Sequence, residues 1–261
     1  MLKKGSRLLV ACAVASVVLS GSPTVFASND IDVSYRYWNP TISAKVGPAE
    51  SGGVTVPWVD AKEHLGIAEH NINDLRLSWK LNENSKVQID YFNSSFHGTA
   101  TPNFRMGGWD LSAGVFRTDV DIKNLQASWV KYLNKNKDDD TRHGYMLGLR
   151  NVRIDAVSNQ IDGGTGHFTK NFNILFPTVG MVFETGRTSQ ISGFASLSAA
   201  YAGSKGYFYD AEIGGKSFLD SQKSLSVTAG YRMLKIKADK DNGDKLDTTI
   251  SGPFFGLEKK F

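Results

Sequence analysis

The sequence predicts an all-β protein, a transmembrane antiparallel up-and-down barrel of about ten strands, with eight or twelve inside the margin of the count. Three observations lead there. Polar and apolar residues alternate along one segment after another, the connections between segments alternate in length, and helical spacing is absent over any long stretch.

The clearest strand is Asp74-Leu75-Arg76-Leu77-Ser78-Trp79-Lys80-Leu81, which alternates through eight positions. A short turn over 82–85 follows, and Val87, Ile89 and Tyr91 alternate with Gln88 and Asp90 on the return, which makes a hairpin. The same grammar sets Ile31, Val33, Tyr35 and Tyr37 against Asp32, Ser34 and Arg36, and Leu125, Ala127 and Trp129 against Asn124, Gln126 and Ser128. It also sets Tyr207, Tyr209, Ala211 and Ile213 against Phe208, Asp210 and Glu212. Ten strands are expected to start near Ile31, Ile72, Lys86, Val120, Arg142, Asn171, Gln190, Gly206, Ser224 and Asp247. The third, fifth and seventh have the weakest parity at their upper ends.

A soluble sandwich alternates too, so the connections carry the next step. Those near 82–85, 134–141, 185–189 and 219–223 are short and polar. Those near 47–70, 98–117, 158–170 and 239–246 are mostly longer and rich in Gly, Pro, Asn and Asp, the tight link before Gly206 being the exception. Short turns at one end and long loops at the other describe a barrel that crosses a membrane, its turns on the periplasmic side. Trp79, Trp129, Tyr145 and Phe183 lie on the apolar face near the short turns, where an aromatic girdle belongs. Segments such as 31–46, 142–157 and 224–238 exceed the roughly 5 to 6 residues of a soluble strand.

The chain closes on Pro253-Phe254-Phe255-Gly256-Leu257-Glu258-Lys259-Lys260-Phe261, with Phe255, Leu257 and Phe261 on one face of the last strand. Long amphipathic strands ending in an aromatic residue resemble the small outer-membrane β-barrel proteins of double-membraned bacteria. The resemblance implies an outer-membrane location, outer-membrane lipids as surroundings, and a last strand that the barrel-assembly machinery reads through Phe255, Leu257 and Phe261. Lys259 stands where an apolar residue is usual in that pattern. The likeness covers residues 28–261 as architecture and identifies no subfamily.

With Leu75, Leu77, Trp79 and Leu81 outside, the opposite parity faces the lumen. That assigns Arg36, Asp74, Arg76, Lys80, Asp90, Arg150, Glu184, Asp210, Glu212 and Arg232 to a lumen polar network. Both signs occur in similar number, as a filled, ion-paired interior requires, because an unpaired buried charge is costly. A polar passage for small solutes is the alternative, and a ten-stranded barrel leaves room for only a narrow one.

His64, His70, His97 and His167 fall in or beside the long loops together with Asp60, Glu63 and Glu69, yet without the His spacing of a zinc helix. They read as solvated loop residues, and no metal or cofactor is expected. Outer-membrane proteases and lipid-modifying barrels exist in the architecture the sequence resembles. Ser94, Ser95 and His97 are the one Ser/His neighbourhood here that suits a hydrolase, and no catalytic residues are assigned. Gly163-Gly164-Thr165-Gly166 lacks the Gly-Lys-Ser/Thr ending of a phosphate loop and reads as a connection.

Residues 1–27 form a targeting segment. Lys3, Lys4 and Arg7 precede the apolar stretch Leu8 to Leu19, and Gly21, Ser22 and Pro23 break it before Val25-Phe26-Ala27, after which cleavage is expected. A retained anchor would need about 20 apolar residues, and processing as a lipoprotein at Cys12 would leave Ala13 to Leu19 on the product. Cys12 is the single cysteine, so residues 28–261 hold no disulfide and no thiolate ligand. Of 30 Lys and Arg, three lie in this segment, which leaves 27 against 26 Asp and Glu. That balance gives no electrostatic case for nucleic acid.

Overall fold

The computed structural model describes residues 31–47, 58–68, 70–101, 105–106, 109–110, 114–133, 140–186, 188–201, 203, 206–239 and 245–261. The expected targeting segment and Glu69 lie outside them.

In chain order the strands are β1 (Ile31–Trp38), β2 (Thr41–Gly47), β3 (Val59–Asp60), β4 (Ile72–Asn82), β5 (Ser85–Ala100), β6 (Arg105–Met106) and β7 (Trp109–Asp110). There follow β8 (Phe116–Tyr132), β9 (Arg142–Gln160), β10 (His167–Thr185), β11 (Ile191–Tyr201), β12 (Gly206–Phe218), β13 (Leu225–Asp239) and β14 (Lys245–Lys260). One short helix, α1 (Ala61–Leu65), interrupts them. β1 and β2 form a single stave with a break at Asn39-Pro40, and both pair with β14. Each remaining long strand pairs antiparallel with its neighbours in chain order, and β1 closes the sheet on β14. The result is a closed antiparallel barrel of ten staves.

The expected starts agree with the observed ones at Ile31, Ile72, Arg142 and Gly206, and the other six fall within a few residues of them. Two features were not expected. Helix α1 is one: Asp60 caps it by accepting hydrogen bonds from the N–H groups of Lys62 and Glu63 at 2.9 and 3.1 Å, and Gly66 ends it in the left-handed conformation. The segment from Val59 to Ile67 folds over the loop end of the barrel, with Val59, Ala61 and Ile67 buried. Ile67 bridges to Gly98 of β5, whose lack of a side chain permits the approach: a Cβ there would lie 2.2 Å from the Leu65 carbonyl oxygen.

The second is a reversal of polarity halfway along the staves. On β9, Tyr145, Leu147 and Leu149 face outward near the turn end while Arg150 faces inward. Beyond that point Asn151, Arg153 and Asp155 face outward, and Val152 and Ile154 are buried inside. β8 repeats this, with Leu125, Ala127 and Trp129 outside near the turns and Arg117, Asp119, Asp121 and Lys123 outside above them. The weak parity expected at the upper end of the third and fifth strands has this cause, since the two halves of one strand carry opposite phases.

Near the turns the wall is therefore wrapped by an exposed apolar belt, in which Leu175, Val179, Met181 and Phe255 are each more than 60% exposed. Toward the loops the apolar residues turn inside. Trp38, Ile72, Phe92, Phe96, Ile122, Val152, Ile154, Phe172, Phe176, Phe208, Leu234, Ile236, Ile250 and Phe254 form one buried cluster that fills the upper lumen. No helix among the described residues is long and apolar enough to cross a membrane.

Candidate functional site in the barrel lumen

Beneath the apolar cluster, strands β1, β4, β5, β9, β12 and β13 each send charged side chains to the barrel axis at one level. Because side chains alternate along a strand, Arg36, Asp74, Arg76, Asp90, Arg150, Asp210, Glu212 and Arg232 share the inner face although they come from distant parts of the chain. Four guanidinium groups meet four carboxylates. Arg36 bonds Asp74 and also Glu212 at 2.7 Å. Arg76 pairs with Asp90 and with Glu212 at 3.1 Å. Asp210 accepts from Arg150 at 2.6 Å and from Arg232 at 2.7 Å, and Arg232 reaches Asp74 at 2.7 Å. The network is a connected, charge-balanced chain, which offsets the cost of taking eight ionised groups out of bulk water.

Its upper surface is sealed by cation–π contacts. Arg36 lies 5.2 Å from the Phe254 ring centroid, Arg150 lies 4.3 Å from Phe208, and Arg232 lies 5.1 and 5.8 Å from Trp38 and Phe92. Gly256 makes room on β14, since a Cβ there would stand 2.7 Å from the Arg36 Cγ. Inside the network the Nε and Nη1 groups of Arg150 are buried with no hydrogen-bond partner among the described residues, and so are both polar atoms of Asn124, which stands in register with Phe92 and Val152 of the apolar cluster.

Glu184 sits apart from these eight, near the turns. It accepts from the Tyr132 hydroxyl at 2.7 Å and pairs with Arg142 at 2.6 Å, and Lys86 lies 3.7 Å away. The Arg142 guanidinium also covers the Tyr132 ring at 3.7 Å. Lys80 is exposed at the rim. Below the network the lumen is hollow. A cavity of about 530 Å³ runs from Arg36, Arg150 and Arg232 down to turn residues Glu83, Asn84 and Lys223. Lys86, Arg142, Tyr132 and Gln126, together with the Lys216–Glu258 pair, line it and were not singled out from the sequence. Parity marks each of them as inward, but no single residue announces which partner it meets across the barrel.

The turns that frame this end are held by carboxylates. Asp220 accepts from the Ser224 hydroxyl and backbone, and Asp140 from the Thr188 hydroxyl and the Gly186 N–H. In each the hydroxyl hydrogen bond is the main cause of a carboxyl held below its ordinary range. At the other end Asp162 accepts from the Val115 N–H, with the same effect.

Trp79, Trp129, Tyr145 and Phe183 all stand exposed on the outer wall near the turns, and the rings of Trp129 and Tyr145 meet edge to face at 5.7 Å. Phe255 and Leu257 face outward on β14, and the Phe261 N–H donates to the Ile31 carbonyl at 2.8 Å, fastening the end of the last stave to the start of the first.

Of the loop-end histidines, His70 and His97 approach each other, with ring centroids 6.5 Å apart. His97 Nδ1 lies 2.9 Å from Asp119 Oδ1 on the exposed outer wall. Ser95 bonds Asp121 rather than His97, and His64 Nδ1 meets the backbone N–H of Asp60. Among the described residues no group of three or more His, Cys, Asp or Glu side chains can hold a metal ion.

A closed ten-stave wall with an apolar outer belt, polar lower lumen and short turns at one end is the outer-membrane β-barrel fold. Among solved structures, the outer membrane protease OmpT from Escherichia coli matches with a TM-score of 0.63 at 11% identity, covering 92% of this chain and 100% of that one. The translocator domain of the autotransporter NalP from Neisseria meningitidis matches with a TM-score of 0.48 at 10% identity, covering 98% and 97%. Neisserial surface protein A matches with a TM-score of 0.37 at 14% identity, covering 90% and 98%. At these identities the likeness is one of fold. No known family description matches the sequence, and no curated protein does.

Proposed function

We propose that this chain is an integral outer-membrane protein with a plugged lumen, serving a structural or surface-interaction role, exported by a segment removed after Ala27. The observation that carries the reading is the reversal of polarity along the staves. Exposed Leu175, Val179 and Met181 suit hydrocarbon, whereas Arg117, Asp119 and Lys123 on the same outer wall suit water. The charged half of the wall then projects beyond the bilayer, the short turns lie in the periplasm, and the last strand with Phe255, Leu257 and Phe261 serves the barrel-assembly machinery. Its surroundings are outer-membrane lipids.

A small passive channel is the second reading, favoured by the 530 Å³ cavity near the turns. The buried aromatic cluster above it argues for the plug, because Phe92, Phe96, Phe176, Phe208 and Phe254 leave no polar route for a solute. Conductance in planar bilayers tests the proposal, with heat-modifiable migration in detergent gels verifying that the sample is folded. A folded barrel is expected to be electrically silent. Steady single-channel steps would overturn the plug.

A further inference from the structure

The hollow lower lumen ends at a roof whose hydrogen-bond donors are not all in use. Arg36, Arg150 and Thr228 border the cavity of about 530 Å³ and are 3, 1 and 6% exposed. Each keeps a polar atom with no hydrogen-bond partner among the described residues: Nε on Arg36, Nε and Nη1 on Arg150, and Oγ1 on Thr228. Buried groups of this kind are costly until something bonds them. Two of the three side chains meet at Gly256, which stands in register between Arg36 and Thr228. A Cβ there would lie 2.7 Å from the Arg36 Cγ and 2.9 Å from the Thr228 Oγ1, so the bare backbone leaves a hollow between them.

The carboxylates of the roof are already engaged. Both oxygens of Asp90, of Asp210 and of Glu212 accept hydrogen bonds from within the lumen. A partnerless acceptor of the same network, Asp74 Oδ1, does not border the cavity. Among the described residues that do border it, Lys and Arg outnumber Asp and Glu ten to seven, and ten to eight with Asp74 counted. Unused donors on cationic side chains, around a polar hollow that reaches the turns, match an oxyanion rather than a neutral or cationic solute.

We propose that the lower lumen is a blind pocket, entered from the turn end, that binds a small solute through a phosphate or carboxylate group held by Arg36, Thr228 and Arg150. The pocket rests on the reading of the lumen as plugged. It gives the barrel a ligand on its periplasmic side, separate from any contact that its outer loops make.

The test titrates the folded chain, in an uncharged detergent with chloride holding the ionic strength constant, against inorganic phosphate and separately against succinate by isothermal titration calorimetry. Saturable binding of one of the two is expected, and the tighter names the group. Thr228→Val, which keeps the shape and removes the hydroxyl, is expected to weaken that binding about tenfold, as loss of one hydrogen bond to a charged group does. Thr228→Ser keeps the hydroxyl and the parental affinity. Thr178→Val, which removes another buried partnerless hydroxyl that does not border the cavity, leaves binding unchanged. Two results would overturn the pocket: no saturable binding of either probe, or binding by the valine variant at Thr228 equal to that of the parent. Steady single-channel steps from the same preparation would instead sink the plugged lumen, so the two failures are told apart.

Discussion

The guanidinium carbon of Arg150 stands 4.3 Å from the centroid of the Phe208 ring, and both side chains are essentially fully buried. One belongs to the polar layer and the other to the apolar cluster, so this contact marks the floor of the plug. Removing the ring while keeping bulk, Phe208→Leu, is expected to cost about 1 to 2 kcal/mol, as a desolvated cation–π contact does. Phe208→Ala should cost about 3 to 5 kcal/mol through the cavity it leaves. Urea unfolding of the refolded barrel in detergent micelles measures both, and equal losses for the two variants would mean that the ring face contributes nothing.

Arg232 joins Asp74 and Asp210, so its loss takes from each carboxylate one of its two guanidinium partners, leaving Arg36 on Asp74 and Arg150 on Asp210. Arg232→Met is expected to destabilise by about 3 to 5 kcal/mol, as breaking a buried pair does. Adding Asp210→Asn to it should cost less than the sum of the single changes, because the second substitution removes a charge that the first has already left with Arg150 as its one guanidinium partner. Additive losses in a double-mutant cycle would deny that the pair acts as a unit.

Gly98 lets the segment from Val59 to Ile67 lie against β5. Gly98→Val should displace that segment and open the loop end to proteolysis near Ile67, while the belt and the lower network keep their heat-modifiable shift. Unchanged cleavage kinetics would show that the close approach does not hold the segment down.

Asp220 orders the turn between β12 and β13 through Ser224. Its carboxyl titrates below the ordinary value of 3.8 in the folded chain, so the turn is favoured at every pH above the ordinary range. That contribution fades as pH falls through the lowered folded value. Amide exchange at Ser224 and Leu225 should accelerate there, and Asp220→Asn should show weaker protection with no such dependence. A parent turn indifferent to acid would contradict this.

The strands were legible because alternation and loop length are local properties of the chain. Leu75, Leu77, Trp79 and Leu81 against Asp74, Arg76 and Ser78 define a two-faced ribbon without knowledge of any neighbour. The plug was not legible, because Val152 and Ile154 occupy the opposite phase from Leu147 and Leu149, and along one strand that switch reads as lost parity. It becomes visible only when a neighbouring stave, β8, switches at a matching height. The eight network residues could be assigned to the inner face by parity, but which carboxylate meets Arg36 or Arg232 depends on barrel closure, which brings β1, β12 and β13 together from opposite ends of the sequence. Helix α1 spans five residues, too few to leave a periodic signature.

The seam between β1 and β14 has a kinetic side. The backbone groups that Val33 to Tyr37 offer on that flank find their partners only in the final stave, so a cylinder cannot begin to shut around its ionic interior until nearly all of the polypeptide is in place. Until then the growing sheet has two raw margins and a half-made salt lattice.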